Sequence, residues 1–162
     1  TPKPSSAASD VYKRQMYKEA KLLSKIENVL MPDKVIVAKD QNSTPKEKKI
    51  DFVAKDDSIY DISPNFFNSI ETLFNEAATI IWNGPMGLFE EDNFSFGTKA
   101  LASMVANSDA YSVIGGGDTI SAASKAGILD SIDYISTAGG AFLEYIEGKS
   151  LPALEALKNK NI

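Results

Sequence analysis

Three glycine-rich turns are the features of this sequence that could do chemistry. In the first to be considered, Gly115, Gly116 and Gly117 follow the apolar run SVI and precede Asp118 and helix-forming sequence. Glycines at the end of a strand let a bound group approach the backbone closely, and the amides that open a helix carry partial positive charge. The pattern favours a phosphate ligand. Asp118 supplies a hard oxygen ligand for the magnesium that accompanies nucleotide phosphates.

Two further turns have a similar composition and position. The sequence NGP at 83–85 follows the apolar run at 79–82, and a glycine pair at 139–140 follows the run at 134–136. Alternating strands and helices predict an α/β fold with a doubly wound, mainly parallel sheet. Parallel strands end at the same edge of a sheet, which is where ligands bind in open α/β folds. We therefore expect all three turns at one ligand-binding edge.

Hydrophobic periodicity predicts the elements that position these turns. Leucine and isoleucine recur at helical spacing through 22–30 before Pro32, and Ser63 followed by proline is a strong helix start. The lysine-rich segment 41–49 is predicted to be a solvated loop. The other predicted elements are strands at 35–38, 50–53 and 58–62, and helices at 98–105, 119–126 and 142–146, the last ended by Gly148.

Composition excludes several classes of site. Hydrophobic residues make up 43% of the 162 residues, which is enough for one core, and the chain has no cysteine or histidine. Disulfides, thiolate or imidazole metal sites and Ser-His-Asp catalysis are therefore excluded. A formal net charge of −5 argues against a nucleic-acid partner. Every apolar run falls short of the roughly 18 residues of a membrane span, so no membrane partner is expected.

The two common phosphate-binding fingerprints do not match. A P-loop requires Gly-Lys-Ser/Thr after a strand, whereas Gly148, Lys149 and Ser150 follow a predicted helix. A dinucleotide site requires G-x-G-x-x-G, and Ile120 stands at the third glycine position. A dinucleotide dehydrogenase is therefore disfavoured.

Residues 1–15 do not share the pattern of the rest. They have no periodic apolar face, and the part from Ser5 to Gln15 resembles translated adapter sequence. We predict a non-native leader at 1–15, with an ordinary disordered N-terminus as the alternative. The remainder, 16–162, is predicted to be a partial nucleotide-binding domain.

Four longer stretches resemble a known family. They are IIWNGPMGLFE at 80–90, FGTKAL at 96–101, VIGGGDTISA at 113–122 and ISTAGGAFLEYIEGKSLPALEAL at 135–157. In order and spacing they are similar to the nucleotide-binding C-terminal half of the phosphoglycerate kinase family. The resemblance implies an incomplete Rossmann-like C-terminal domain of a cytoplasmic, monomeric kinase of glycolysis. Such a kinase moves a phosphoryl group between 1,3-bisphosphoglycerate and ADP with Mg²⁺.

The same resemblance implies a role for each turn. Asn83, Pro85 and Glu90 would line the adenosine pocket, with Glu90 accepting hydrogen bonds from the ribose hydroxyls. Gly139 and Gly140 would open the helix whose amides face the transferring phosphoryl group, where positive potential stabilises the charge that develops. The residues implied to hold the phosphates of ADP or ATP are Gly115, Gly116, Gly117, Asp118 and Thr119, and Asp118 would also contact Mg²⁺.

The sequence also departs from the family pattern. Ala138 stands where the family usually has the first glycine of the last turn, and Ser63 replaces the glycine before Pro64. The family's N-terminal domain, whose arginines and histidine bind phosphoglycerate, has no counterpart in the chain. We therefore expect a fragment that is inactive by itself and that would meet phosphoglycerate only through the absent domain. The alternative is a stand-alone, non-catalytic nucleotide-binding module.

Overall fold

A computed structural model of the chain describes residues 16–158, so the predicted leader at 1–15 lies outside the described residues. The chain divides after Pro32 into two units. In the first unit, 16–23 form a helix, α1, which ends well before the predicted limit at residue 30. The hydroxyl of Ser24 donates to the carbonyl of Lys21, and such local bonds compete with continued helix. Ile26, Leu30 and Met31 beyond it are exposed, so packing does not extend the helix.

An antiparallel sheet opens the second unit. It contains β1 (Lys34–Ala38), β2 (Lys46–Lys49) and β3 (Ser58–Ile62) in the order β2-β1-β3. The loop prediction for 41–49 is wrong over β2, because this lysine-rich segment pairs along the free edge of β1. The strand prediction for 50–53 is also wrong, since Ile50–Phe52 form a 3-10 turn in which Val53 N–H donates to the carbonyl of Ile50.

A parallel sheet forms the other half of the second unit. Its strands are β4 (Thr79–Asn83), β5 (Tyr111–Gly115) and β6 (Tyr134–Ser136), in the order β4-β5-β6. Both pairs of neighbours are parallel, as the alternation of strands and helices predicts. Asp133 helps to align β6, because its carboxylate accepts the N–H and hydroxyl of Ser112 at 2.7 and 2.8 Å.

Helices connect and follow these strands. The hydroxyl of Ser63 accepts the N–H of Asn65 at the start of the first of them, which confirms the predicted N-cap. The helices are α2 (Pro64–Glu76), α3 (Phe96–Asn107), α4 (Gly117–Lys125), α5 (Gly139–Ile146) and α6 (Pro152–Lys158), and short 3-10 turns lie at Asp92–Phe94 and Leu129–Ser131.

Helices lie on both faces of the parallel sheet. Successive residues of a strand face opposite sides of the sheet, so the side chain of Ile114 lies on one face and the Cα hydrogen of Gly115 that replaces a side chain lies on the other. Ile114 is fully buried among residues of α2, α3 and α4, whereas the ring of Phe142 from α5 lies against Gly115. The doubly wound arrangement is thereby confirmed. The main core consists of Phe67, Ile70, Ile80, Trp82, Phe89, Leu101, Ala102, Val105, Ala110, Ile114, Ala122 and Ala123.

Among the helices of 16–158, none is both long enough and apolar enough to cross a bilayer.

Candidate functional site

The three glycine turns lie at one edge of the parallel sheet. Asn83, the last residue of β4, is paired with Gly115 at the end of β5, and Gly115 is paired with Ser136 at the end of β6. The strands are parallel and end in register, so the turns that follow them leave the sheet side by side. The shared edge predicted from the order of strands and helices is confirmed.

The first and second turns are joined by a direct hydrogen bond. Gly84 N–H donates to Oγ1 of Thr119 over 2.7 Å, and Thr119 is only 1% exposed. The indole N–H of Trp82 donates to the carbonyl of Gly84 over 2.7 Å, so both backbone groups of this glycine are paired. Gly84 has φ +102°, a backbone conformation that residues with a side chain rarely adopt. Thr119, implied by resemblance to hold phosphate, therefore also positions the neighbouring turn.

The second and third turns are in close backbone contact. A Cβ at Gly139 would lie 3.3 Å from the Cα of Gly116, and Gly116 itself has φ +90°. A Cβ at Gly115 would lie 2.6 Å from a ring carbon of Phe142. Glycines at these positions thus let α4 and α5 begin next to each other without displacing their neighbours.

The start of α4 has the features of an anion site. Its N-cap residue is Gly116, which has no side chain to pair with the first amides of the helix. Such amides are the ones that lack partners within a helix, and they carry its positive partial charge. Gly117 and Asp118 in the first turn are both exposed. Asp118 does not occupy the N-cap position, so capping does not account for this carboxylate.

Asp118 is compatible with a magnesium ion held mainly by a nucleotide. Within 16–158 no group of three or more acidic, histidine or cysteine residues is arranged to hold a metal. Magnesium in nucleotide sites is usually bound by one or two carboxylates together with substrate phosphates and water. A single exposed carboxylate beside free helix amides fits that mode of binding.

The loop after β4 is anchored by residues that the sequence alone did not single out. Oγ1 of Thr98 accepts N–H groups of Met86 and Gly87 at 3.1 and 3.2 Å. Leu88 N–H donates to the carbonyl of Tyr60 over 2.8 Å. These bonds leave the loop little conformational freedom. A threonine two residues into a helix gives no sequence signal for such a contact.

A buried carboxylate lies behind the same loop. Asp61 is 2% exposed and accepts the N–H of Gly97 at the start of α3 over 2.9 Å. Any Cβ at Gly87 or Gly97 would collide with its carboxylate. Burial raises the pKa of Asp61, and the backbone N–H bonds from Gly97, Ile62 and Phe96 oppose that rise. Asp61 therefore links β3, α3 and the loop from within the core.

The residues implied to contact adenosine lie along this loop. Asn83 and Glu90 are exposed and Pro85 is half-buried. The ammonium of Lys125, at the end of α4, donates to the carbonyls of Phe89 and Glu90, each over 2.9 Å. Sequence reasoning missed Lys125. Its position seven residues after Asp118 places both on one helix face, and this spacing was the available signal.

One groove of the second unit lies away from the three glycine turns. It has a volume of about 410 Å³ and lies between α2 and α3, lined by residues that include Phe67, Phe74 and Met104. None of the predicted site residues lines it. The better candidate is the edge of the parallel sheet at which the turns at 83–85, 115–117 and 139–140 meet, which we call the glycine edge, because its exposed amides and carboxylate suit a charged ligand.

Comparison with known proteins decides the family. The family model for phosphoglycerate kinase matches residues 5–149, most of the chain. The chain belongs to the phosphoglycerate kinase family. Phosphoglycerate kinase of Francisella tularensis subsp. holarctica is 48% identical over 161 residues, which cover 95% of this chain and 41% of the relative. The relative from Francisella philomiragia subsp. philomiragia is 49% identical over 159 residues, which cover 94% of this chain and 41% of the relative.

Solved phosphoglycerate kinases have the same fold. The structure from Coxiella burnetii superposes with a TM-score of 0.76 at 45% identity, covering 89% of this chain and 37% of that one. The structure from Pyrococcus horikoshii OT3 superposes with a TM-score of 0.75 at 30% identity, and the match covers 93% of this chain and 39% of that one. The chain spans about two fifths of the length of the curated phosphoglycerate kinases that it matches, 41%. A fragment of a phosphoglycerate kinase, as the resemblance implies, is confirmed.

Proposed function

We propose that this chain is the nucleotide-binding part of a phosphoglycerate kinase and that it binds Mg²⁺ with ADP or ATP at the glycine edge. The observation that carries the proposal is the gathering of three glycine-containing turns at the carboxyl ends of three parallel strands. Such a surface suits a phosphate, because the amides that open a helix can reach the ligand without interference from side chains.

Each part of the edge has a place in the proposed site. Asn83, Pro85 and Glu90 receive the adenosine, and the exposed loop position of Glu90 suits a contact with ribose hydroxyls. The residues from Gly115 to Thr119 receive the phosphates through the first amides of α4. Asp118 ligates the magnesium, whose charge would neutralise the phosphates.

The proposed reaction is transfer of a phosphoryl group from 1,3-bisphosphoglycerate to ADP, giving 3-phosphoglycerate and ATP. Negative charge spreads over the transferring group, so positioned donors lower the barrier and no covalent intermediate with the protein is needed. Gly139 and Gly140 at the start of α5 would supply amides to that group. Phosphoglycerate would be held by the part of the relatives that this chain does not span. We place the whole enzyme in the cytoplasm as a monomer acting in glycolysis.

Calorimetric titration of the chain with ADP, with and without Mg²⁺, tests the proposal. MgADP is expected to bind, and Asp118→Asn is expected to remove the gain in affinity that Mg²⁺ provides while leaving metal-free ADP binding unchanged. Asp130→Asn, at an exposed carboxylate between α4 and β6, is the matched control and should behave as the unsubstituted chain. Absence of MgADP binding, or an Asp118→Asn chain that still responds fully to Mg²⁺, would refute the assignment.

A coupled kinase assay separates binding from turnover. The chain alone should give no turnover with 1,3-bisphosphoglycerate and MgADP, because the proposed acyl-phosphate site lies outside it. Turnover at ordinary enzyme concentrations would show that the chain holds both substrates.

A further inference from the structure

Lys125 makes the two hydrogen bonds that hold the end of the loop carrying Glu90. Its ammonium donates to the carbonyls of Phe89 and Glu90, each over 2.9 Å, from 36 and 35 residues away in sequence. A lysine ammonium has three donors and no acceptor, so it can pair with both carbonyls at once. Phe89 is 9% exposed and packs in the core, which fixes the residue next to Glu90 as well.

The nearby ion pair does not explain this lysine. Lys125 and Asp92 are 3.9 Å apart, and the Asp92 side chain is 84% exposed. A contact this long and this exposed to water contributes little to stability. Asp92 also lies closer to Lys99, at 3.4 Å. The carbonyl contacts are therefore the specific interactions of Lys125.

Helix α4 thereby contacts both the start and the end of the loop. Thr119, in the first turn of α4, accepts the N–H of Gly84 at the start of the loop, and Lys125, in the last turn, holds its end. Six residues of α-helix correspond to about 9 Å along the axis. The same helix begins at Gly116 and Gly117, so its length sets the distance from the phosphate-binding turn to Glu90.

We propose that Lys125 is a positioning residue for nucleotide specificity: it holds Glu90 at the distance from the phosphate turn that a ribose with free hydroxyls requires. The inference rests on the proposed function and extends it to a residue that touches neither phosphate nor ribose. Lys125 acts through Glu90, so its loss should affect recognition of the ribose hydroxyls and leave recognition of the phosphates intact.

Titration of the full chain with three magnesium complexes tests this inference. The probes are ADP, 2′,3′-dideoxy-ADP and inorganic pyrophosphate. The unsubstituted chain should prefer ADP to the dideoxy analogue by about tenfold, the value of one hydrogen bond to a charged group. Lys125→Met should abolish that preference and leave affinity for the dideoxy analogue and for pyrophosphate unchanged. Lys125→Arg can still donate to both carbonyls and should restore the preference.

Two further variants complete the test. Lys99→Met removes the other cation beside Asp92 without touching the loop carbonyls, and it should keep the ADP preference. Glu90→Gln should lose the preference, and adding Lys125→Met to it should cause no further loss, because both act on one contact. Circular dichroism confirms that each variant is folded.

The outcomes that overturn the inference are distinct. Equal loss of affinity for all three probes in Lys125→Met would show a purely structural lysine. Unchanged ADP preference in that variant would show that Glu90 does not depend on it. If the unsubstituted chain binds neither MgADP nor pyrophosphate, the proposed function fails and the inference fails with it.

Discussion

Gly84 N–H and Oγ1 of Thr119 are 2.7 Å apart, and this hydrogen bond joins the turn after β4 to the first turn of α4. The two residues are 35 positions apart in sequence. One threonine thus serves the alignment of two turns that are both proposed to contact the nucleotide. The bond is inside the protein, since Thr119 is 1% exposed.

Thr119→Val should destabilise the chain by leaving the Gly84 N–H without its acceptor. A buried donor that loses its partner costs about 1–3 kcal/mol of unfolding free energy. Thr119→Ser keeps the hydroxyl, so its free energy of unfolding should fall by less than that of Thr119→Val. Urea unfolding followed by circular dichroism measures both variants. Equal unfolding midpoints for valine and serine would contradict the role given to the hydroxyl.

Gly115→Ala should destabilise the chain, whereas Gly140→Ala should not. An alanine Cβ at 115 would lie 2.6 Å from the Phe142 ring and 3.1 Å from Nδ2 of Asn83, so neighbours must move. Such overpacking costs about 1–3 kcal/mol. A Cβ at 140 has no atom within 4 Å, and alanine favours the helix there. Thermal unfolding of both variants checks the pair, and a Gly140→Ala chain as unstable as Gly115→Ala would contradict the packing described.

Asp61→Asn should change the pH dependence of stability in a definite direction. Burial raises the folded-state pKa of Asp61 above its ordinary value, so the folded chain holds this proton more tightly than the unfolded chain does. The stability contributed by this group is fully present below the ordinary carboxyl pKa and is lost as pH rises through the raised pKa. Relative to Asp61→Asn, the unsubstituted chain should therefore lose stability across that window.

Urea midpoints of the two chains, measured at closely spaced pH values from 3 to 7, give this difference directly. Asp130→Asn, at an exposed carboxylate, is the control and should follow the unsubstituted curve. A difference between Asp61→Asn and the unsubstituted chain that stays constant with pH would show that Asp61 does not titrate differently on folding.

Sequence patterns were sufficient where a segment makes its own structure. The strand Tyr134–Ser136 is observed at the predicted residues, and Ser63 caps α2 as the serine followed by proline predicts. Parallel order also follows from local patterns, because a strand, a helix and a second strand of these lengths return the chain in the same direction. The shared edge of the glycine turns was predictable for the same reason.

Segments that depend on distant partners were not predictable. Lys46–Lys49 has no composition typical of a strand, and it is one because β1 offers a free edge. Ile50–Phe52 is apolar enough for a strand, yet the chain turns there to reach β3. The helix at 16–23 ends early because its apolar side chains are exposed and local hydrogen bonds replace packing.

By itself the sequence determined the class of fold and the edge at which its turns meet, since both depend on local order along the chain. The residues proposed to bear its chemistry stay a prediction. Only the tertiary structure decided how the turns are held. Thr119 accepts the N–H of Gly84, and Thr98 accepts an N–H of the loop that follows. Asp61 is buried behind that loop, and Lys125 donates to a carbonyl at its end. Some of these hydrogen bonds join residues that are 35 or more positions apart. Such contacts exist only after the chain has folded, when helices and strands have fixed the directions of their side chains.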